Sequence, residues 1–167
     1  GDTKSVIEAD FFGQTFKIRH AYFTNKGLTI GHTWSTFMDL SALPEKGDFG
    51  GAAARVFSRK SLVKHSSDVA GGKLELALES PIFKVGTEQD AVTPDLVAKY
   101  TMKTGAGHVS AGALIQNVNI DDGAGFKDST LAVAARVSGR VNFGKDNLKF
   151  AVIAGQGLGA YINFGDV

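Results

Sequence analysis

The residues able to do chemistry fall into three groups: strand-borne cations, scattered acids and four histidines. Lys17, Arg19, Lys99, Lys103, Arg136, Arg140 and Lys149 recur on the polar sides of alternating segments, and Glu8, Asp10, Glu75 and Glu79 share those sides. Facing a common water-filled space, such charges would bias the passage of ions by sign. On an ordinary sheet they would simply be solvated. His20, His32, His65 and His108 have no metal-ligand spacing, and a structural role suits them better than metal binding. No serine sits in a G-x-S-x-G elbow, and no nucleophile, base and orienting group can be assembled, so the sequence carries no case for an enzyme. The run GQGLGAY at 155–161 partly matches glycine-rich phosphate loops but leads into no amphipathic helix, and reads as strand end and loop. Asp39, Glu45 and Asp48, and the pair Asp121-Asp122, lack the tight oxygen spacing of a calcium loop. No metal or other cofactor is expected.

The elements that carry these residues are strands. Apolar and polar residues alternate with period two through Lys4–Phe11, Phe16–Thr24, Leu28–Ser35, Lys73–Glu79, Leu96–Lys103, His108–Gln116, Leu131–Phe143 and Leu148–Ala154. Arg55–Lys64 is read as a further strand, although neither of its faces is clean. That makes about nine strands. In the second strand the pattern sets Phe16, Ile18, His20 and Tyr22 against Lys17, Arg19, Ala21 and Phe23. Turn signals at Asn25-Lys26-Gly27, Gly71-Gly72, Gly105-Ala106-Gly107 and Gly144-Lys145-Asp146-Asn147 separate them. Longer, more charged connections cover 36–53, 80–95 and 117–128. Alternating short and long links suit an antiparallel up-and-down meander in a single domain over 1–167.

Composition narrows the setting. The 167 residues are enough for one real core, and 18 Lys+Arg against 17 Asp+Glu give no electrostatic case for nucleic acid. Cysteine is absent, so no disulfide framework or thiolate metal site exists. No run of apolar residues is long enough for a transmembrane helix. Alternation alone leaves two media open. In a soluble sandwich or small barrel the apolar face meets a core; in an outer-membrane barrel it meets lipid while the polar face lines a lumen. Strands of about nine or more residues and polar faces built from small residues with isolated long cations lean toward the second.

One segment fits neither strand nor solvated loop. After the strand at 28–35, the run TFMDLSALPEKGDFGG carries two Phe, Met38 and two Leu among its acids. The longer run FKIRHAYFTNKGLTIGHTWSTFMDLSALPEKGDFGG (16–51) resembles the DcaP-like outer-membrane porins. There an R-H-A-Y strand precedes G-Q-T-W-S-T-F-M-D and then A-L-P-E…D-F-G-G. Looser matches follow in LELALESP (74–81), PDLVAKY (94–100) and GQGLGAYIN (155–163). The resemblance covers nearly the whole chain; His32 stands where the family commonly has Gln, and the charges of 55–65 also depart from it.

The resemblance implies an all-β transmembrane antiparallel barrel of about sixteen strands, of which about nine are present. It implies a homotrimer in the outer membrane of a Gram-negative bacterium, in contact with the bilayer and lipopolysaccharide. The expected function is passive diffusion of small hydrophilic solutes, anions such as dicarboxylates above all. An N-terminus without an apolar segment and an end FGDV without a terminal aromatic make an internal piece of the barrel the expectation. By the same analogy, residues 37–53 form a loop folded into the lumen. Phe37, Met38, Leu40, Leu43 and Phe49 would pack on the inner wall, and Asp39, Glu45 and Asp48 would face water or pair with wall arginines. Lys17, Arg19, Lys99, Glu75, Arg136 and Arg140 are the expected pore-lining residues. A soluble ligand-binding β-barrel or sandwich and a non-conducting structural outer-membrane protein are the rival readings.

Overall fold

A computed structural model describes residues 3–11, 13, 15–45, 55–81, 93–121 and 127–162. Nine strands run in chain order: β1 (Thr3–Asp10), β2 (Lys17–Asn25), β3 (Leu28–Trp34), β4 (Arg59–Val69), β5 (Gly72–Glu79), β6 (Asp95–Thr104), β7 (Gly107–Asp121), β8 (Lys127–Phe143) and β9 (Asp146–Gly155). Each pairs antiparallel with the next, in one sheet of order β1 to β9. Two single-turn 3-10 segments, Leu40–Ala42 and Leu158–Ala160, complete the described structure.

Tight turns at one end explain the meander. Lys26 (φ 45°) and Gly27 (φ 84°) both adopt left-handed backbone, as do Ala70 (φ 49°) and Gly71 (φ 77°). Paired positive φ values are the requirement of a two-residue hairpin whose twist matches the flanking strands. The second turn therefore falls at Ala70-Gly71, one residue before the expected Gly71-Gly72. At the opposite end β3–β4 and β5–β6 are joined by long links. The expected long connection over 117–128 is mostly strand: β7 and β8 stay paired up to Asp121 and Lys127.

Two further expectations are corrected. The segment Arg55–Lys64 is not one strand. Val56 forms an isolated bridge to Ile162, and the strand begins only at Arg59 and continues to Val69. With that start the faces are clean: Lys60, Leu62, Lys64 and Ser66 on one, Ser61, Val63 and His65 on the other. In β2 the register shifts, Glu8 facing His20 and Ala9 facing Ile18, so Arg19 is an extra residue on its strand. A bulge reverses the alternation. His20 and Tyr22 therefore lie on the polar face, while Ala21 and Phe23 take the apolar one. His20 is buried and its Nδ1 lies 3.0 Å from Thr33 Oγ1.

The burial of the two faces is inverted relative to a soluble sandwich. Leu76 and Leu78 are 50% and 46% exposed, with Leu96, Ile115, Val133 and Val137 similarly open. Lys60 and Glu79 on the other face are fully buried. The buried face also holds one apolar row. Ala77 pairs with Val97, Val97 with Leu114 and Leu114 with Ala134, so four neighbouring strands put a small or aliphatic residue side by side. Phe37, Met38, Val56 and Tyr161 pack on this row and form the core with it.

Candidate functional site

The segment after β3 lies against the polar face, held by two networks. The first begins at Glu79. Its carboxylate accepts hydrogen bonds from Ser35 Oγ at 2.8 Å and Thr36 N at 2.6 Å. Tyr161, fully buried, donates its hydroxyl to Asp95 at 2.7 Å and lies 3.4 Å from Glu79 Oε2. Burial, and then the two adjacent carboxylates, push the Tyr161 hydroxyl far above its ordinary range, so it stays protonated and donates. Lys60 Nζ sits 3.7 Å from Asp95, 3.3 Å from Ser80 O and 4.2 Å over the Tyr161 ring. Two buried acids thus share one lysine and one phenol, the kind of satisfaction a buried charge requires.

The second network lies farther along the segment, at Asp39. Its Oδ2 accepts from Ser138 Oγ at 2.6 Å and lies 2.8 Å from His108 Nε2 and 3.8 Å from Arg136 Nη1. Its Oδ1 caps the Leu40–Ala42 turn by accepting from Ser41 N. Burial would raise the Asp39 pKa, but the hydrogen bonds from Ser138 and His108 and the Arg136 charge outweigh it and hold the carboxyl below its ordinary value. Arg136 donates to Ser138 and, at 3.2 Å, to Ser110, and its guanidinium faces the Phe37 ring at 5.8 Å. Gly112 makes this possible: a Cβ there would meet Arg136 Nη2 at 3.3 Å and Phe37 Cδ2 at 3.4 Å. Lys99 joins the segment to the wall, donating to Met38 O at 3.3 Å while pairing with Glu75 at 2.7 Å; Lys64 pairs with Glu75 at 2.9 Å.

The expected lining residues therefore differ in situation. Glu75, Lys99, Arg136 and Asp39 converge on the docked segment. Arg19 is neutralised by Glu8 at 3.3 Å and Asp10 at 2.8 Å. Lys17 is exposed at the start of β2, and Glu45 is 89% exposed with Lys149 at 3.3 Å. Arg140 donates to the Asn142 side chain at 2.8 Å and has no acidic partner among the described residues. Asp48 and Phe49 lie outside the described residues. Of the apolar residues of the segment, Phe37 and Met38 are buried and Leu43 packs against the core, whereas Leu40 is 48% exposed. Lys60, Asp95 and His108 are assigned no lining role from sequence, His108 being read as a structural histidine, and Tyr161 enters only within the GQGLGAY run. The first three stand at polar-face positions of their strands, which is the signal available for them.

A cavity of about 910 Å³ opens beside residues 38–41 and the turn-side halves of β5 to β8. Lys73, Lys103 and Arg140 line it, and none has an acidic partner among the described residues; Asp68 is its one lining acid likewise unpaired there. The exposed apolar face, the lumen-like polar face and the docked segment decide the architecture.

In its fold the sheet resembles the wall of a solved outer-membrane channel. The chain superimposes on the crystal structure of the outer membrane channel DcaP of Acinetobacter baumannii with a TM-score of 0.83 and 24% sequence identity. The match covers 99% of this chain and 51% of that one, so the chain spans about half the length of the channel it resembles. No protein-family model and no curated protein matches the sequence. The apolar face also carries aromatic side chains. Phe23, Tyr100, Phe143 and Phe150 lie toward the tight turns, and Tyr100 donates to the turn carbonyls of Val69 and Ala70.

Proposed function

We propose that the protein is an outer-membrane channel through which small hydrophilic anions, dicarboxylates among them, diffuse passively. The observation that carries this reading is the inversion of the sheet. Aliphatic side chains such as Leu76 and Leu78 stand open, while charged ones such as Lys60 and Glu79 are covered. Water cannot be the medium of a continuous apolar face of this extent, and lipid can. The same fact disfavours a soluble ligand-binding sandwich. Preference for anions rests on the cavity, where Lys73, Lys103 and Arg140 lack acidic partners among the described residues, and where, of the lining acids, Asp39 and Glu75 are paired with His108 and Lys99 and Asp68 remains to oppose them. Unpaired lumenal cations raise the local concentration of anions and set selectivity by sign. An outer-membrane location in a Gram-negative bacterium, a homotrimer and contact with lipopolysaccharide belong to the same reading, supported by the fold likeness and the sequence resemblance. None of the steps needs an enzyme-like constellation.

The test is ion selectivity in planar bilayers under a salt gradient. The protein should give discrete channels whose reversal potential reports preference for chloride over potassium. Reversing Lys103 and Arg140 together (K103E, R140E) should move that potential toward cations. A protein that partitions with the outer membrane but never conducts would favour a structural role, and an unmoved reversal potential would remove the anion preference.

A further inference from the structure

The geometry points to a carboxylate-binding cradle on the lumen wall, formed by Arg136, Ser138 and His108, in which Asp39 sits as a built-in ligand that a small external carboxylate can replace. The inference deepens the channel reading and rests on it for access of the solute. Four observations carry it. First, Arg136 and Ser138 are 2% and 1% exposed, so the cradle is a buried, prebuilt site rather than a surface patch. Second, the guanidinium is poorly used. Asp39 is the one acid within 4.0 Å of it among the described residues; it stands at 3.8 Å, and Arg136 Nε is buried without any hydrogen-bond partner. A planar fork of this kind matches a carboxylate that can present both oxygens, and Asp39 presents only Oδ2 to it. Third, Asp39 is not part of the wall. It reaches Ser138 from a link segment 99 residues away in sequence, whereas Arg136, Ser138 and His108 are fixed by strand pairing. Fourth, Asp39 and His108 line the 910 Å³ cavity, with Lys103 and Arg140 beside them, while Arg136 and Ser138 line a pocket of about 60 Å³ that Asp39 also lines, so a solute in the large cavity meets His108 directly and reaches the rest of the cradle by displacing Asp39.

The physical consequence is competition. A tethered carboxylate acts at an effective concentration on the order of millimolar or higher, so it masks the cradle from dilute solutes. Removing it leaves a buried guanidinium without compensation, which an external carboxylate then relieves. Calorimetry on the protein in detergent micelles tests this with succinate as the probe and phosphate and chloride as controls. The wild type should bind succinate weakly. Asp39→Ala should bind it at least tenfold more tightly, and Asp39→Ala with Arg136→Gln should lose that gain. Asp39→Asn, which keeps the shape of the side chain, should show a smaller gain and serves if the alanine variant fails to fold, as judged by heat-modifiable mobility. No gain in a folded Asp39 variant overturns the proposal. An equal gain for phosphate and chloride also overturns it, in favour of a general anion site. Bilayer recordings of the wild type separate the two readings. Anion-selective conductance with no gain on removing Asp39 defeats the cradle alone, and absence of conductance defeats the channel reading whatever the calorimetry shows.

Discussion

Glu79→Ala probes what holds the segment after β3 on the polar face. Glu79 is fully buried and receives Ser35 Oγ at 2.8 Å and Thr36 N at 2.6 Å. Hydrogen bonds to a charged acceptor contribute about 1.5–3 kcal/mol each, and breaking a buried network by removing one partner costs about 3–5 kcal/mol. Against this, full burial of Phe37 and Met38 on the row Ala77, Val97, Leu114 and Ala134 contributes about 1.5–3 kcal/mol each. The anchor and the apolar contact are thus of similar size, and neither holds the segment alone. Losing about 3–5 kcal/mol shifts the docked-to-released ratio by on the order of a hundredfold or more. Trp34 is the only tryptophan of the chain and directly precedes Ser35, with the Arg59 guanidinium 3.7 Å over its ring. Its fluorescence therefore reports release. In guanidinium titrations of the protein in micelles, Glu79→Ala should lower the Trp34 transition and increase quenching by acrylamide. Glu79→Gln retains an acceptor for Thr36 N and should cost about 1 kcal/mol. An unchanged midpoint in the alanine variant, with an unchanged slope, would refute the reasoning.

The remaining predictions concern pH and the open face. The Asp39 carboxyl, faced by Ser138, His108 and Arg136, is held below its ordinary value of 3.8. A depressed carboxyl contributes docking free energy at every pH above the ordinary value and loses it as pH falls through the lower, docked-state value. Trp34 fluorescence should show no Asp39-dependent change from neutrality down to about pH 4 and a loosening only in more acid solution; a comparable acid transition in Asp39→Asn would assign it elsewhere. Leu78 is 46% exposed and flanked on its face by Val63 and Leu96. Leu78→Arg should cost about 2–4 kcal/mol when the protein folds into lipid vesicles. An unaffected folding midpoint in vesicles would mean that this face does not meet hydrocarbon.

The strands and their faces were legible wherever a strand is uninterrupted. β5, β6, β7 and β8 show the alternation that the structure keeps, because period two is a direct consequence of the extended backbone. In β2 the period-two pattern misplaces His20 and Tyr22 because one extra residue, Arg19, reverses parity, and a bulge leaves no mark in the residue types. The expected start of β4 lies too early because Val56 forms an isolated bridge to Ile162 and the sheet register begins only at Arg59. The site is harder. Thr36 meets Glu79 across 43 residues and Ser138 meets Asp39 across 99, and no local pattern encodes a pairing at such separations. The apolar row was visible only as exceptions: Ala77, Val97, Leu114 and Ala134 are four unrelated departures from polarity until the register aligns them.

That row resolves why a segment so rich in apolar side chains sits on a polar wall. A lumen lined only by charges would offer Phe37 and Met38 nothing better than water, and the segment would have no preferred place. Placing one aliphatic stripe across four strands gives it a dry seat, and the stripe is bracketed by the two places where fixed charge is satisfied, Glu79 at one side and Arg136 at the other. The charges then divide into two populations by burial. Those under the segment are paired: Lys60 with Asp95, Lys99 with Glu75, Arg136 with Asp39. Their mutual compensation leaves little net field in the lumen. Those beyond it, Lys73, Lys103 and Arg140, have no acidic partner among the described residues and face the cavity. On the channel reading proposed above, selectivity by sign belongs to the second population and positioning of the segment to the first, so Arg140 and Arg136, which look alike in sequence, should respond differently to charge reversal: the first in reversal potential, the second in docking.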